Sequence, residues 1–154
     1  MSRHEFRASA SKEVNALKSE LISNAYKRIE RAQALGFHIE AVAIIESLIS
    51  DRLESAIANR ESMPIKVSNL GPALNQLLQS GFLTHDLAEE ISSWGRNRAK
   101  VVHEMVKVTV VQDSNWKERM RFAKYVSIEG FRLLLVLDSL VKEHKKRFSH
   151  NSKS

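Results

Sequence analysis

An all-α fold, a single-domain helical bundle of four long helices and one short helix, follows from three observations. Only five Gly and two Pro interrupt 154 residues. Over long stretches the apolar residues recur at three- and four-residue steps, the spacing of one face of an α-helix. Gly36, Gly81 and Pro64 fall between those stretches. Glycine can take the left-handed cap that ends a helix, and proline disfavours helix at the residue before it.

The elements follow in order. Val14, Leu17, Leu21, Ala25 and Ile29 form one stripe and predict a helix over 11–35, stopped by Gly36. Val42, Ile45, Leu48, Ile49, Leu53 and Ile57 predict a second helix over 38–59. Ala41, Ile44 and Ala56 widen its apolar face, so it is expected at the centre, antiparallel to the first across a short connection. Residues 60–66 read as a loop. A short helix over 68–79 follows, capped by Ser68, with Pro72 in its first turn and Leu70, Leu74, Leu77 and Leu78 on its apolar face. A fourth helix starts with Thr84 as its cap and continues through Leu87, Ile91, Trp94, Ala99 and Val102 towards Met105. Gly95 inside it invites a kink or a break. The β-branched stretch 106–112 is expected to be extended. Asp113 or Ser114 then caps a last helix carrying Trp116, Met120, Ala123, Val126, Phe131, the dense apolar run 133–137, Leu140 and Val141. The expected domain spans 11–144, between a flexible start (1–10) and a basic tail (145–154) that frays.

Composition narrows the function classes. Forty-three per cent apolar and 27% charged residues are ordinary for a globular protein. A formal charge of +6 points to an acidic partner, nucleic acid first. With no cysteine, disulfides, thiolate zinc sites and cysteine nucleophiles are excluded. That absence fits a reducing compartment. The longest apolar run is far short of a membrane span, and no apolar region follows the basic start, so a cytoplasmic protein without a membrane partner is expected. His38, His85, His144 and His150 are scattered and form no metal-ligand spacing, and no cofactor is expected. There is no Gly-rich phosphate loop and no Gly-x-Ser-x-Gly elbow.

One segment does not explain itself as core. Residues 94–105 place Arg96, Asn97, Arg98, Lys100 and His103 within eight positions of one predicted helix. Guanidinium groups present planar forks of donors that fit phosphate. Imidazole moves protons near neutral pH. Attack of a ribose 2′-hydroxyl on its own phosphodiester needs proton transfer and stabilisation of the phosphorane charge, and no metal. At about 100° per residue, a separation of seven returns nearly to the same face, whereas five lands about 140° away. A straight helix therefore pairs Arg96 with His103, and Arg98 would need a kink or a second subunit. Lys100 sits one turn before His103, placed to bind substrate.

This segment resembles the Arg-x4–6-His signature of HEPN domains, small all-α domains named for higher eukaryotes and prokaryotes nucleotide-binding. Arg98 and His103 match with four intervening residues, and Arg96-Asn97 with His103 match with six. Asn97 supplies the polar residue that commonly follows the motif arginine, where Arg98 is followed by Ala99; both alignments stay open. The similarity extends over most of the chain as architecture. A long helical pair comes first, with an apolar-acidic pattern at 41–46, then the motif helix and a closing helix.

The resemblance implies a metal-independent endoribonuclease whose site forms where two motifs meet across a homodimer. His103 would activate the 2′-hydroxyl or protonate the leaving group. Arg96 or Arg98 would bind the scissile phosphate of RNA, and Asn97 would orient it. Many such domains act as toxins, in phage defence or in RNA processing, some with an antitoxin or a nucleotidyltransferase as partner. Others bind without cleaving. The competing readings are a non-catalytic helical module that binds nucleic acid or protein, and a purely structural oligomerisation module. Basic helix faces are most often solvated, and Trp94 and Trp116 read as core or interface anchors. The tail at 145–147 reads as a solubilising end that can also contact phosphates.

Overall fold

The computed structural model describes residues 3–61, 69–109 and 114–151. Among the described residues there are five helices: α1 (Arg3–Ala34), α2 (His38–Glu61), α3 (Leu70–Gln79), α4 (His85–His103) and α5 (Trp116–Asn151). The expected all-α bundle of four long helices and one short helix is therefore present.

Polar contacts between helices give their directions. Lys18 pairs with Asp51 at 2.8 Å and Arg28 with Glu40 at 2.7 Å, so α1 and α2 run antiparallel. Trp94 Nε1 donates to the Val126 carbonyl at 3.0 Å, and Arg132 pairs with Glu90, so α4 and α5 run antiparallel. Gln33 bonds Ser127 Oγ at 2.8 Å while Tyr26 packs edge-on against Phe131, which sets α1 antiparallel to α5 as well. The long helices thus alternate in direction, and α2 lies at the centre in contact with the other four.

The core follows from this placement. Val42, Ile45, Leu48, Ile49, Leu53 and Ile57 of α2 are all buried, as their spacing predicts. Against them lie Leu133, Leu134 and Leu137 of α5, Leu74 and Leu77 of α3, and Ile91, Trp94 and Val101 of α4. The first helix departs from expectation. Ile29 is buried, but Val14, Leu17 and Leu21 are 63%, 56% and 60% exposed. Ile22, Tyr26, Ile29 and Ala32 face the core instead. Two apolar stripes share this helix, and its packing against α2 and α5 selects the second.

The ends of the helices have local causes. Gly36 takes φ +80° and closes α1, with Phe37 N donating to Ala32 O at 2.7 Å. Gly81 does the same for α3 at φ +77°. Thr84 caps α4 by accepting from Leu87 N, as expected. Several boundaries are corrected. The cap of α3 is Asn69, whose side chain accepts from Gly71 N; the expected cap Ser68 lies outside the described residues. The cap of α5 is Asn115, not Asp113 or Ser114. Its side chain accepts from Glu118 N, and the Glu118 carboxylate accepts from Asn115 N, each at 3.0 Å, a reciprocal capping box. Helix α4 passes through Gly95 without a break and stops at His103 rather than Met105. Gly95 serves close packing: a Cβ there would stand 3.0 Å from Leu70 Cδ1. Helix α1 starts at Arg3, before the expected residue 11, and α5 continues through the basic stretch to Asn151. Helix α2 runs through residues 60 and 61 into the expected loop at 60–66, whose remainder lies outside the described residues, and of the expected extended stretch at 106–112 the described part, Val106 to Thr109, is not helical.

Candidate functional site

Helix α4 carries all five candidate residues and divides them between two faces. Ile91, Trp94, Arg98 and Val101 follow three- and four-residue steps, so Arg98 occupies an inward position of the helix. Its side chain is 20% exposed and pairs with Glu46 of α2 at 2.9 Å. The Nε of Arg98 is buried and makes no hydrogen bond. Arg96 lies on the outward face, where Nη1 donates to Ser92 Oγ at 3.1 Å and Nη2 approaches Glu89 at 3.4 Å. His103 is exposed and ends the helix. Seven residues separate Arg96 from His103, and the helix is unbroken between them, so these two share a side, as the sequence geometry requires.

Arg96 and Arg98 open onto one cleft of about 460 Å³ between α2, the start of α3 and α4. Glu46 and Ser50 line it from α2, Asn69 and Gly71 from the first turn of α3, and Ser92 from α4. The first turn of a helix presents backbone N–H groups and the positive end of its dipole. Glu46 lines the cleft wall beside the two guanidinium groups and this helix start, and Glu89 lies next to Arg96 outside the lining. The arrangement can hold a phosphate. Glu46 was not singled out from sequence as a site residue. Its place in the apolar-acidic stretch of α2, one residue beyond the buried Ile45, was the available signal.

The structure does not bring the remaining candidates into this cleft. Lys100 lines a separate depression of about 290 Å³ with Glu104, Met105, Ser114, Glu118, Arg119 and Phe122. Asn97 and His103 line neither. Within one chain the arginines and the imidazole are therefore not assembled around one point.

Arg119 is a further residue that sequence reasoning missed. Its side chain is almost fully buried near the end of α4. Nε donates to the Ser114 carbonyl at 2.9 Å, and Nη1 donates to the carbonyls of Glu104 and Met105 at 3.2 and 2.8 Å. A cation at a helix C-terminus satisfies carbonyls that have no partner within the helix and sits favourably in the dipole. Arg119 thereby ties the backbone that follows His103 to α5.

Trp94 is buried, in line with an anchoring role, whereas Trp116 is 59% exposed. Among the described residues no group of three or more His, Asp or Glu side chains is arranged to hold a metal ion. No described helix is long and apolar enough to cross a membrane. Comparison of the chain with protein-family models, with curated proteins and with solved structures finds no match.

Proposed function

We propose that this chain is a metal-independent endoribonuclease of the HEPN type, acting as a homodimer. The observation that carries the reading is the cleft between α2, α3 and α4, onto which two motif arginines open, with an exposed histidine on the same helix. In this reading Arg96 and Arg98 bind the scissile phosphate, Asn97 orients it, and Lys100 holds a neighbouring part of the RNA. His103 takes the proton from the 2′-hydroxyl or gives one to the leaving oxygen. Glu46 fixes the direction of Arg98 through its ion pair. Arg96 is held by the exposed Glu89 and by Ser92 of its own helix, and with a side chain 63% exposed it is the freer of the two to turn onto a phosphate.

The separation of His103 from the arginine cleft within one chain requires a second copy in this mechanism. An exposed imidazole at a helix end is open to such a partner. A role as a toxin or in phage defence, restrained by an antitoxin or a nucleotidyltransferase, extends the same proposal.

Incubation of the pure protein with total RNA in EDTA tests it. Wild type is expected to cleave and His103→Ala to be inactive with an unchanged fold. Cleavage that persists in pure His103→Ala overturns the assignment. A second reading, a non-catalytic module that binds RNA through the same cleft, is favoured by the engagement of Arg98 by Glu46 and by the distance of His103 from the cleft. Its signature is RNA binding that weakens steeply with salt, without cleavage of any RNA.

A further inference from the structure

A second cleft lies on the opposite side of α2, between the middle of α1 and the C-terminal half of α5. It measures about 510 Å³, within the range of small-molecule sites. Its walls carry Lys18, Arg52, Lys142 and Lys145, and its floor includes Tyr26.

The charges here do not balance. Arg52, 7% exposed, is held between Asp51 and Asp138. Lys18 shares Asp51 at 2.8 Å, and Lys142 shares Asp138 at 2.6 Å. Four cations thus meet two carboxylates, which leaves two positive charges within this network. Lys145 forms no ion pair among the described residues. Partial burial, then the nearby charges of Arg52 and Lys18, push its amine below the ordinary lysine value. These cations are less comfortable together than apart, and an added anion would relieve them.

A neutral donor waits in the same place. The Tyr26 hydroxyl is buried and has no hydrogen-bond partner. Burial first, and then the Asp138 charge, push its pKa up to about 12, so it stays protonated and able to donate. Buried hydroxyls without partners are uncommon because each one forfeits the hydration it had in the unfolded chain. Ser19, Ser23 and Asn15 add further polar groups around the opening.

We propose that this cleft binds a small ligand through a di- or triphosphate group, held by Lys18, Lys142 and Lys145 with the Tyr26 hydroxyl as a further donor. Adjacent phosphates supply several negative charges in a small volume, which matches three ammonium groups converging from two helices. Arg52 stays with its two carboxylates and sets the position of the lysines around it. This site is separate from the arginine cleft and does not rest on the ribonuclease reading.

Titration calorimetry of the full chain in low salt tests the site, with inorganic pyrophosphate, ATP, adenosine and a short single-stranded RNA as probes. Pyrophosphate and ATP are expected to bind and adenosine not to bind. Tighter binding of ATP identifies a nucleotide as the source of the phosphates, and equal binding identifies a free polyphosphate. Lys142→Gln and Lys145→Gln are each expected to weaken pyrophosphate by roughly tenfold to a hundredfold, the loss of one charge-assisted contact. Both side chains are exposed, so the fold should survive, which circular dichroism checks. Lys117→Gln, on an exposed part of α5 away from the cleft, controls for net charge. The Tyr26 ring resonances should shift on addition of pyrophosphate. Three results each overturn the site: no pyrophosphate binding, binding indifferent to Lys142 and Lys145, or binding of the RNA alone.

Discussion

The two clefts on either side of α2 use positive charge in different ways. In the arginine cleft the cations come from one helix, two residues apart, and each has an acidic neighbour of its own, Glu46 for Arg98 and Glu89 for Arg96. In the lysine cleft the cations come from three helices and share two carboxylates through the buried Arg52. The first is a motif, readable as a string. The second is an assembly, which exists only once α1, α2 and α5 have packed. Charge written along one helix is visible before folding, whereas charge gathered from distant helices is not.

Substitutions separate the two kinds of cation. The largest expected effect is on chemistry. On the proposed ribonuclease reading, His103→Ala should lower RNA cleavage by roughly 10²–10⁴-fold, the usual contribution of a general acid or base. Its melting temperature should stay near wild type, because the side chain is exposed. Gel assays with matched thermal melts would show a dissociation of activity from stability.

Next comes the anchor of the lysine cleft. Arg52→Ala removes the buried cation between Asp51 and Asp138, leaving each with one lysine, and should cost about 3 kcal/mol in urea unfolding, the low end for a broken buried pair. Glu46→Gln, by contrast, touches an ion pair that is 20% and 32% exposed and should cost only about 1 kcal/mol or less. Equal losses from the two variants would erase the distinction between a structural and an accessible cation.

A smaller effect is expected behind α4. A Cβ on Gly130 would stand 2.6–2.8 Å from the Trp94 ring. Gly130→Ala should therefore destabilise by about 1–3 kcal/mol as the indole is pushed from its bond to Val126. Unfolding curves together with Trp fluorescence would register both changes.

The smallest is a pH effect. Burial first, then the charge of Lys124, lower the His38 pKa in the folded chain. The unfolded chain then binds the proton more readily, so stability rises with pH up to the ordinary histidine range and falls as pH drops below it. His38→Gln should flatten the dependence of the urea midpoint between neutral pH and pH 5. An unchanged slope would assign it to other groups.

The α2 stripe was legible because all of its apolar positions face neighbours, so periodicity and burial coincide. The α1 stripe is not legible in the same way, because that helix offers two apolar lines, Val14–Leu17–Leu21 and Ile22–Tyr26–Ile29, and only packing chooses between them. Asn115 was passed over beside Asp113 and Ser114 because all three are competent caps. The reciprocal bond with Glu118 favours Asn115.

The candidate site divides along the same line. Sequence alone determined the all-α class, the helix order and the faces of α4, because those depend on local spacing and on the pitch of a helix. It placed Arg96 with His103 on one side and turned Arg98 away. Only the tertiary structure decided that Arg98 meets Glu46, that Arg119 secures the end of α4, and that His103 stays outside the arginine cleft. Those outcomes depend on which helices lie side by side, a choice made by burial of the whole core rather than by any short run of residues.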